Sequence, residues 1–149
     1  MPLTRESSAG YITNWAARLF ARELERQLAP SGIAPAYMPV LFALADGSAL
    51  TQKELARRAA VEQPTMAATL NRMERDAMIL RTPDPSDRRS ALVALTPLAR
   101  GHIATVEQGV TNINALALEP LTPDERQQYI ALLGKVTTVL EARDSGLGR

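Results

Sequence analysis

Residues 50–95 constrain the fold more than any other stretch of the chain. Thr51 stands three residues before Glu54, the spacing of a capping box, in which the hydroxyl takes the glutamate amide and the carboxylate reaches back to the threonine amide. The helix that follows carries Leu55, Ala56 and Ala59 on one face and Lys53, Arg57 and Arg58 mostly on others, and the pattern ends near residues 60–62. Gln63-Pro64 opens a second helix: proline suits the first turn, where its missing N–H costs nothing. Met66, Leu70 and Met73, spaced four and three apart, are its buried stripe, and it runs to about Ala77. Two short helices with a three- or four-residue joint outline a helix-turn-helix. Residues 78–82 are then apolar and able to extend, 84–90 form a polar turn with proline inside it, and 91–95 are a second apolar run closed by Thr96-Pro97. Strand, charged loop and strand after such a helix pair make a β-hairpin wing. The fold class this predicts is mainly α with a small β-wing, a winged helix-turn-helix.

The flanks are helical. From Ser8 to Leu28 the apolar positions Ile12, Trp15, Ala16, Leu19, Phe20, Leu24 and Leu28 follow three- and four-residue spacing, the mark of one amphipathic helix. Residues 29–32 end it, Pro35 starts a nearly all-apolar helix to about Ala45, and Leu50 is placed to pair as a third small strand beside the wing. After the wing, Thr96-Pro97 repeats the cap-plus-proline start; Ile103, Val106, Val110 and Ile113 share a face of a helix running to about Leu118. Thr122 and Glu125 form a second capping box, and Tyr129, Leu132, Leu133, Val136, Val139 and Leu140 stripe the last helix. Residues 1–7 and 144–149 read as loose ends. A winged helix of about 45 residues cannot cover three long apolar stripes. They must pack on each other within one chain or interdigitate with those of a second copy, at roughly 1.5–3 kcal/mol for each large side chain buried.

The chain resembles the MarR (multiple-antibiotic-resistance) transcriptional regulators. The resemblance is carried by Thr-Gln-Lys-Glu-Leu-Ala at 51–56, Glu-Gln-Pro-Thr-Met at 62–66, Asn-Arg-Met-Glu-Arg-Asp at 71–76, and Asp-Pro-Ser-Asp-Arg-Arg at 84–89 leading into Leu-Val-Ala-Leu-Thr at 92–96. Asp84, Asp87 and Arg89 keep the family's wing pattern, Ser86 stands where arginine is usual, and Ala77 where glycine is common. The resemblance implies one winged-helix regulator domain over 1–149, with 8–28 and 98–143 as a helical dimerisation region and 35–96 as the DNA-binding region. It implies a homodimer, whose two-fold symmetry would set two recognition helices about 34–36 Å apart on a pseudo-palindromic site.

A recognition helix presents one face and its N-terminal part to base edges. Here that face offers Gln63, Pro64, Thr65, Ala68, Thr69, Asn71 and Arg72. Small residues such as Ala67 and Ala68 let the helix sit deep, and Gln63, Thr65 and Thr69 can bond to bases and touch thymine methyls. Arg72 and Arg75 suit phosphates or ion pairs, which set register rather than sequence. In the wing, Arg88 and Arg89 lie near the hairpin tip, where a guanidinium can read a narrow minor groove. Asp87 is excluded as a DNA contact by its charge; the resemblance gives it the task of holding an arginine, with Asp84 capping the turn. The resemblance also implies a small, often aromatic or phenolic effector, with Trp15, Tyr37, Met38 and His102 as candidate pocket residues by helical position.

Composition narrows the alternatives. Net charge is only +1, but residues 51–100 hold nine Lys/Arg against six Asp/Glu, +3, and the rest eight against ten, −2: a modest basic bias on the proposed reader. No apolar run approaches the roughly 18 residues of a membrane span, and no signal-like segment opens the chain, so the expected location is the cytoplasm. Cysteine is absent, which removes disulfides, thiolate metal sites and thiol switches. With one histidine, His102, no phosphate loop and no nucleophile motif, neither enzyme activity nor a cofactor nor a metal is expected. The other alternative, a winged helix used only for protein contacts, would lack exposed wing arginines and carry an apolar recognition face; Arg88, Arg89 and a polar face point to a reader of double-stranded DNA, a transcriptional regulator and usually a repressor.

Overall fold

Ser8 starts the first helix as expected: its hydroxyl accepts the Tyr11 amide at 3.2 Å, and α1 spans Ala9–Leu28. The computed structural model describes residues 3–147. They fall into two compact units, one ending at Ile113 and the other beginning at Asn114. A 3₁₀ turn, Pro35–Tyr37, feeds α2, Met38–Leu44. The strand β1, Leu50–Thr51, leads into α3, Gln52–Ala59, and after a short joint into α4, Gln63–Arg75. Two strands, β2 (Ile79–Asp84) and β3 (Asp87–Leu95), form the wing. Thr96 caps α5, Pro97–Ala117, by accepting the Ala99 amide at 3.1 Å. The second unit is built on α6, Pro123–Leu147. Here the capping box closes both ways: Thr122 N–H donates to Glu125 Oε2 at 2.9 Å and Glu125 N–H to Thr122 Oγ1 at 3.2 Å.

The sheet order is β1-β3-β2, all antiparallel, with Leu50 opposite Val93 and Ile79 opposite Leu95. Leu50 is thus the third strand the sequence placed beside the wing. The hairpin is longer than the hydrophobic runs suggested, since residues 83–84 and 87–90 are strand and the turn shrinks to Pro85-Ser86. Pro83 is tolerated because β2 is an edge strand, where a missing N–H breaks no ladder bond. Beneath lies the core of the first unit: Leu28, Tyr37, Val40, Leu41, Leu44, Leu55, Met66, Leu70, Met73, Val93 and Leu95 are buried. Met66, Leu70 and Met73 are the stripe expected of the recognition helix, and Val106 and Ile113 are buried on α5.

Three expectations need correction. The capping box at Thr51 is half made: the Glu54 amide donates to Thr51 Oγ1 at 3.2 Å, but the carboxylate turns to Arg57 (2.6 and 2.9 Å) and Arg58 (2.9 Å) instead. Two guanidiniums, three and four residues on, are stronger partners than one neutral amide. They hold Glu54 down to about 2, Arg57 contributing most. Because the folded-state value is depressed, the stabilisation is complete above the ordinary carboxylate range and is lost as pH falls through about 2. Glu54→Gln is therefore expected to melt below wild type near neutrality, with the gap closing between about pH 5 and pH 2 in thermal melts. Second, the tail is not loose from Asp144, for α6 continues to Leu147; Gly148 and Arg149 lie outside the described residues. Third, the N-terminal segment has local structure from Thr4: Ser7 N–H donates to Thr4 O at 3.3 Å, and the Arg5 guanidinium lies 4.5 Å over the Trp15 ring. Residues 1–2 of that segment lie outside the described residues.

Ala77 lies between α4 and β2 with φ +57°, a left-handed conformation that costs an L-residue roughly 1–2 kcal/mol. Glycine's larger unfolded-state entropy offsets part of the gain. Ala77→Gly should therefore stabilise by about 0.5–1 kcal/mol and raise the melting temperature by roughly 2–3 °C. A lower melting temperature would show that the alanine methyl has a packing role.

Candidate nucleic-acid interface

Helix α4 is held from behind and open in front. Met66, Leu70 and Met73 anchor one side, while Gln63, Pro64, Thr65, Ala68, Asn71 and Arg72 are exposed and Thr69 is half-buried. The joint before it turns through Ala60 at φ 52°, whose N–H caps α3 by donating to Arg57 O at 3.2 Å. The Gln52 side chain donates to the Gln63 carbonyl at 3.5 Å, linking the starts of the two helices. At the far end, Tyr37 is 2 % exposed and its hydroxyl donates to Asp76 Oδ2 at 2.6 Å. Arg75 Nε reaches the other Asp76 oxygen at 3.2 Å, and the Arg72 guanidinium lies 5.7 Å from the Tyr37 ring centre. These bonds, the tyrosine's first, keep Asp76 below the usual carboxylate range, while burial and then Asp76 raise Tyr37. Arg72 and Arg75 are both cationic and both engaged by neighbours, so they serve structure and can still face a phosphate.

The wing is set by its two aspartates. Asp84 Oδ1 accepts the Ser86 amide at 2.9 Å and the Ser86 hydroxyl at 2.7 Å, which holds Asp84 below its ordinary range. Ser86, in the position where an arginine was expected, thus spends its side chain on tightening the turn. Asp87 Oδ1 accepts the Arg89 amide at 3.0 Å and lies 3.6 Å from Arg89 Nε. The Arg89 side chain is nonetheless 94 % exposed. A cleft of about 380 Å³ runs between helix pair and wing, walled by Gln52, Lys53, Gln63, Arg81, Asp87 and Arg89 among others. It brings together Gln63 and Arg89, which the sequence put on separate elements. It also contains two cations that sequence reasoning did not assign: Lys53, in the first turn of α3, and Arg81, hidden inside an apolar strand. Arg88 is exposed but does not line this cleft.

A sequence model of the MarR family matches residues 31–90, the stretch that contains both reading elements. Solved structures extend the likeness to nearly the whole chain. The transcriptional repressor CouR, bound to a 23-mer DNA duplex, is 26 % identical, with a TM-score of 0.80 over 92 % of this chain and 99 % of that one. MarR of E. coli, in its apo form, is 26 % identical at a TM-score of 0.74, covering 87 % of this chain and 96 % of its own. This chain is similar to the MarR-family regulators. BpsR of Bordetella bronchiseptica, whose DNA binding is regulated by 6-hydroxynicotinic acid, is 25 % identical at a TM-score of 0.81, over 92 % of this chain and 98 % of that one. The MarR-family proteins matched are regulators of transcription, not enzymes, and the winged-helix class read from the sequence stands.

The four residues offered for an effector do not meet in one place. Tyr37 and His102 line a cavity of about 150 Å³ with Ser31, Ile33, Asp76 and Leu98. Met38 is buried in the core and Trp15 lies under Arg5, neither of them in that wall. Helical spacing gives a residue's face, not the identity of what packs on that face, which is why two of the four separate. A larger apolar groove of about 390 Å³, with Leu41, Phe42, Ile103, Val106 and Val110 in its wall, went unnoticed in the sequence because each residue reads as core. Among the described residues no helix is long and apolar enough to cross a membrane.

Proposed function

We propose that the protein is a homodimeric transcriptional repressor that binds a pseudo-palindromic operator and is released by a small aromatic or phenolic effector. In this reading residues 35–96 form the DNA-binding region, and 8–28 with 98–143 the dimerisation region. Gln63, Pro64, Thr65, Ala68, Thr69, Asn71 and Arg72 enter the major groove, and Arg88 and Arg89 follow the minor groove beside it, positioned by Asp84 and Asp87. The observation that carries it is the pairing of an exposed, polar, small-residue face on α4 with a nearly fully exposed Arg89 across one cleft. An interaction module without DNA would gain nothing from that arginine. CouR, a repressor bound to a duplex, and BpsR, regulated by a hydroxylated heteroaromatic acid, support the repressor and effector parts. The cavity at Tyr37 and His102 has room for about one aromatic ring.

Selection from random duplex DNA tests the reading. The expected product is an inverted repeat with half-sites about 10 base pairs apart, one helical turn. A pool with no enriched sequence would remove the DNA-binding claim, and a single unrepeated half-site would remove the dimer.

A further inference from the structure

Asn71 is exposed on the reading face of α4, yet half of its amide is already in use. From β2, Arg81 donates Nη2–H to Asn71 Oδ1 at 3.0 Å, and its Nε lies 3.6 Å from Glu74 Oε2, further along the same helix. A guanidinium has five donors and no acceptor, so the atom it holds must be the amide oxygen, and the Asn71 NH₂ is left to face outward. Arg81 is itself fixed, opposite Val93 in the wing ladder with its side chain 31 % exposed. Strand and helix are thereby tied at the point where the cleft meets the recognition helix.

We infer that Arg81 is a positioning residue for sequence specificity, one that turns Asn71 into a donor-only reader. This rests on α4 entering the major groove as proposed above. An unrestrained asparagine recognises adenine with both ends of its amide, donating to N7 and accepting from N6. With one lone pair of its oxygen taken and its amide plane fixed by Arg81, Asn71 is not free to turn both ends of the amide to one adenine, and it reads by donation from its NH₂. N7 is an acceptor on adenine and guanine alike, so the base pair opposite Asn71 is read as purine, without preference for adenine. The wing therefore edits what the helix can distinguish, through a residue that touches no base.

The test is sequence selection from random duplexes with four full-length proteins: wild type, Arg81→Met, Arg81→Lys and Asn71→Ala. Asn71→Ala identifies the base pair by losing preference at one position in each half-site. At that position wild type should accept adenine and guanine alike, and Arg81→Met should favour adenine by about tenfold, the value of a freed bidentate contact. Arg81→Lys, which keeps a donor for the amide oxygen, should match wild type. A purely structural arginine would lower the melting temperature or the affinity of Arg81→Met without changing this one base preference. The inference is overturned if Arg81→Met keeps the wild-type profile, if Asn71→Ala alters no position, or if wild type already favours adenine tenfold. The last of these reads on the native protein alone, so it decides the matter even were Arg81→Met to misfold. A wild type that enriches no sequence would instead bring down the major-groove reading itself.

Discussion

Val136→Asp is expected to leave the protein folded, monomeric, and about 10²–10⁴-fold weaker on a full operator. The helix α6 bears Leu132, Val136, Val139 and Leu140, each between 52 % and 61 % exposed. Spaced four, three and one apart, they share a face. A second copy covering that face would gain roughly 1.5–3 kcal/mol per large side chain buried. A carboxylate in the middle of such a seam would be buried without a partner, at a cost of several kcal/mol. The effect on DNA follows from connection rather than contact. Once one head is bound, the second binds intramolecularly, and losing that tether forfeits about 10²–10⁴ in avidity. Aspartate in a helix interior costs less than about 0.7 kcal/mol, so circular dichroism should hardly change. Sedimentation would give the mass, and titration on full and half operators the binding; the half-site affinity should match that of a wild-type head. A variant that remains dimeric with its operator affinity intact would place the seam on other helices.

What the sequence disclosed and what it hid divide by the range of the interaction. The Thr96 and Thr122 caps were readable because a cap is a bond to an amide three residues on, with no other element involved. The stripe Met66, Leu70 and Met73 was readable because burial of α4 has the period of the helix. Glu54 shows where local reasoning stops: the carboxylate had three partners within reach, and the pattern named the weakest. The wing was underestimated because Pro83 and the run of charges resemble a loop, and nothing local says that β2 is an edge strand. Bonds between residues distant in sequence could not be read at all. Tyr37 to Asp76, 39 residues apart, fixes the end of the recognition helix. Arg81 to Asn71 qualifies a residue that looks, on its helix, like a free base reader.

Arg89→Ala should weaken operator binding and also change its response to salt. The backbone amide of Arg89 is bonded to Asp87 and its Nε lies a loose 3.6 Å from the same carboxylate, yet the side chain is 94 % exposed. That is the disposition of a group held ready for a partner rather than one satisfied at home. In a minor groove it would neutralise phosphate charge and release counterions, and each charge neutralised contributes about 0.9 to the slope of log affinity against log salt. Losing one arginine per head should lower the slope by about one unit per head, roughly two for a dimer. The deficit of the variant should therefore shrink by roughly 16-fold between 50 and 200 mM salt, a signature that general destabilisation does not produce. Arg88→Ala should change the slope less, since the neighbouring position on β3 faces the other way and Arg88 does not line the cleft. Asp87→Asn keeps an acceptor for the Arg89 amide but removes the charge beside Nε. It should keep the wild-type slope while weakening binding modestly, because the arginine remains and only its placement loosens. Equal slopes for Arg89→Ala and wild type would mean that the guanidinium never reaches the duplex.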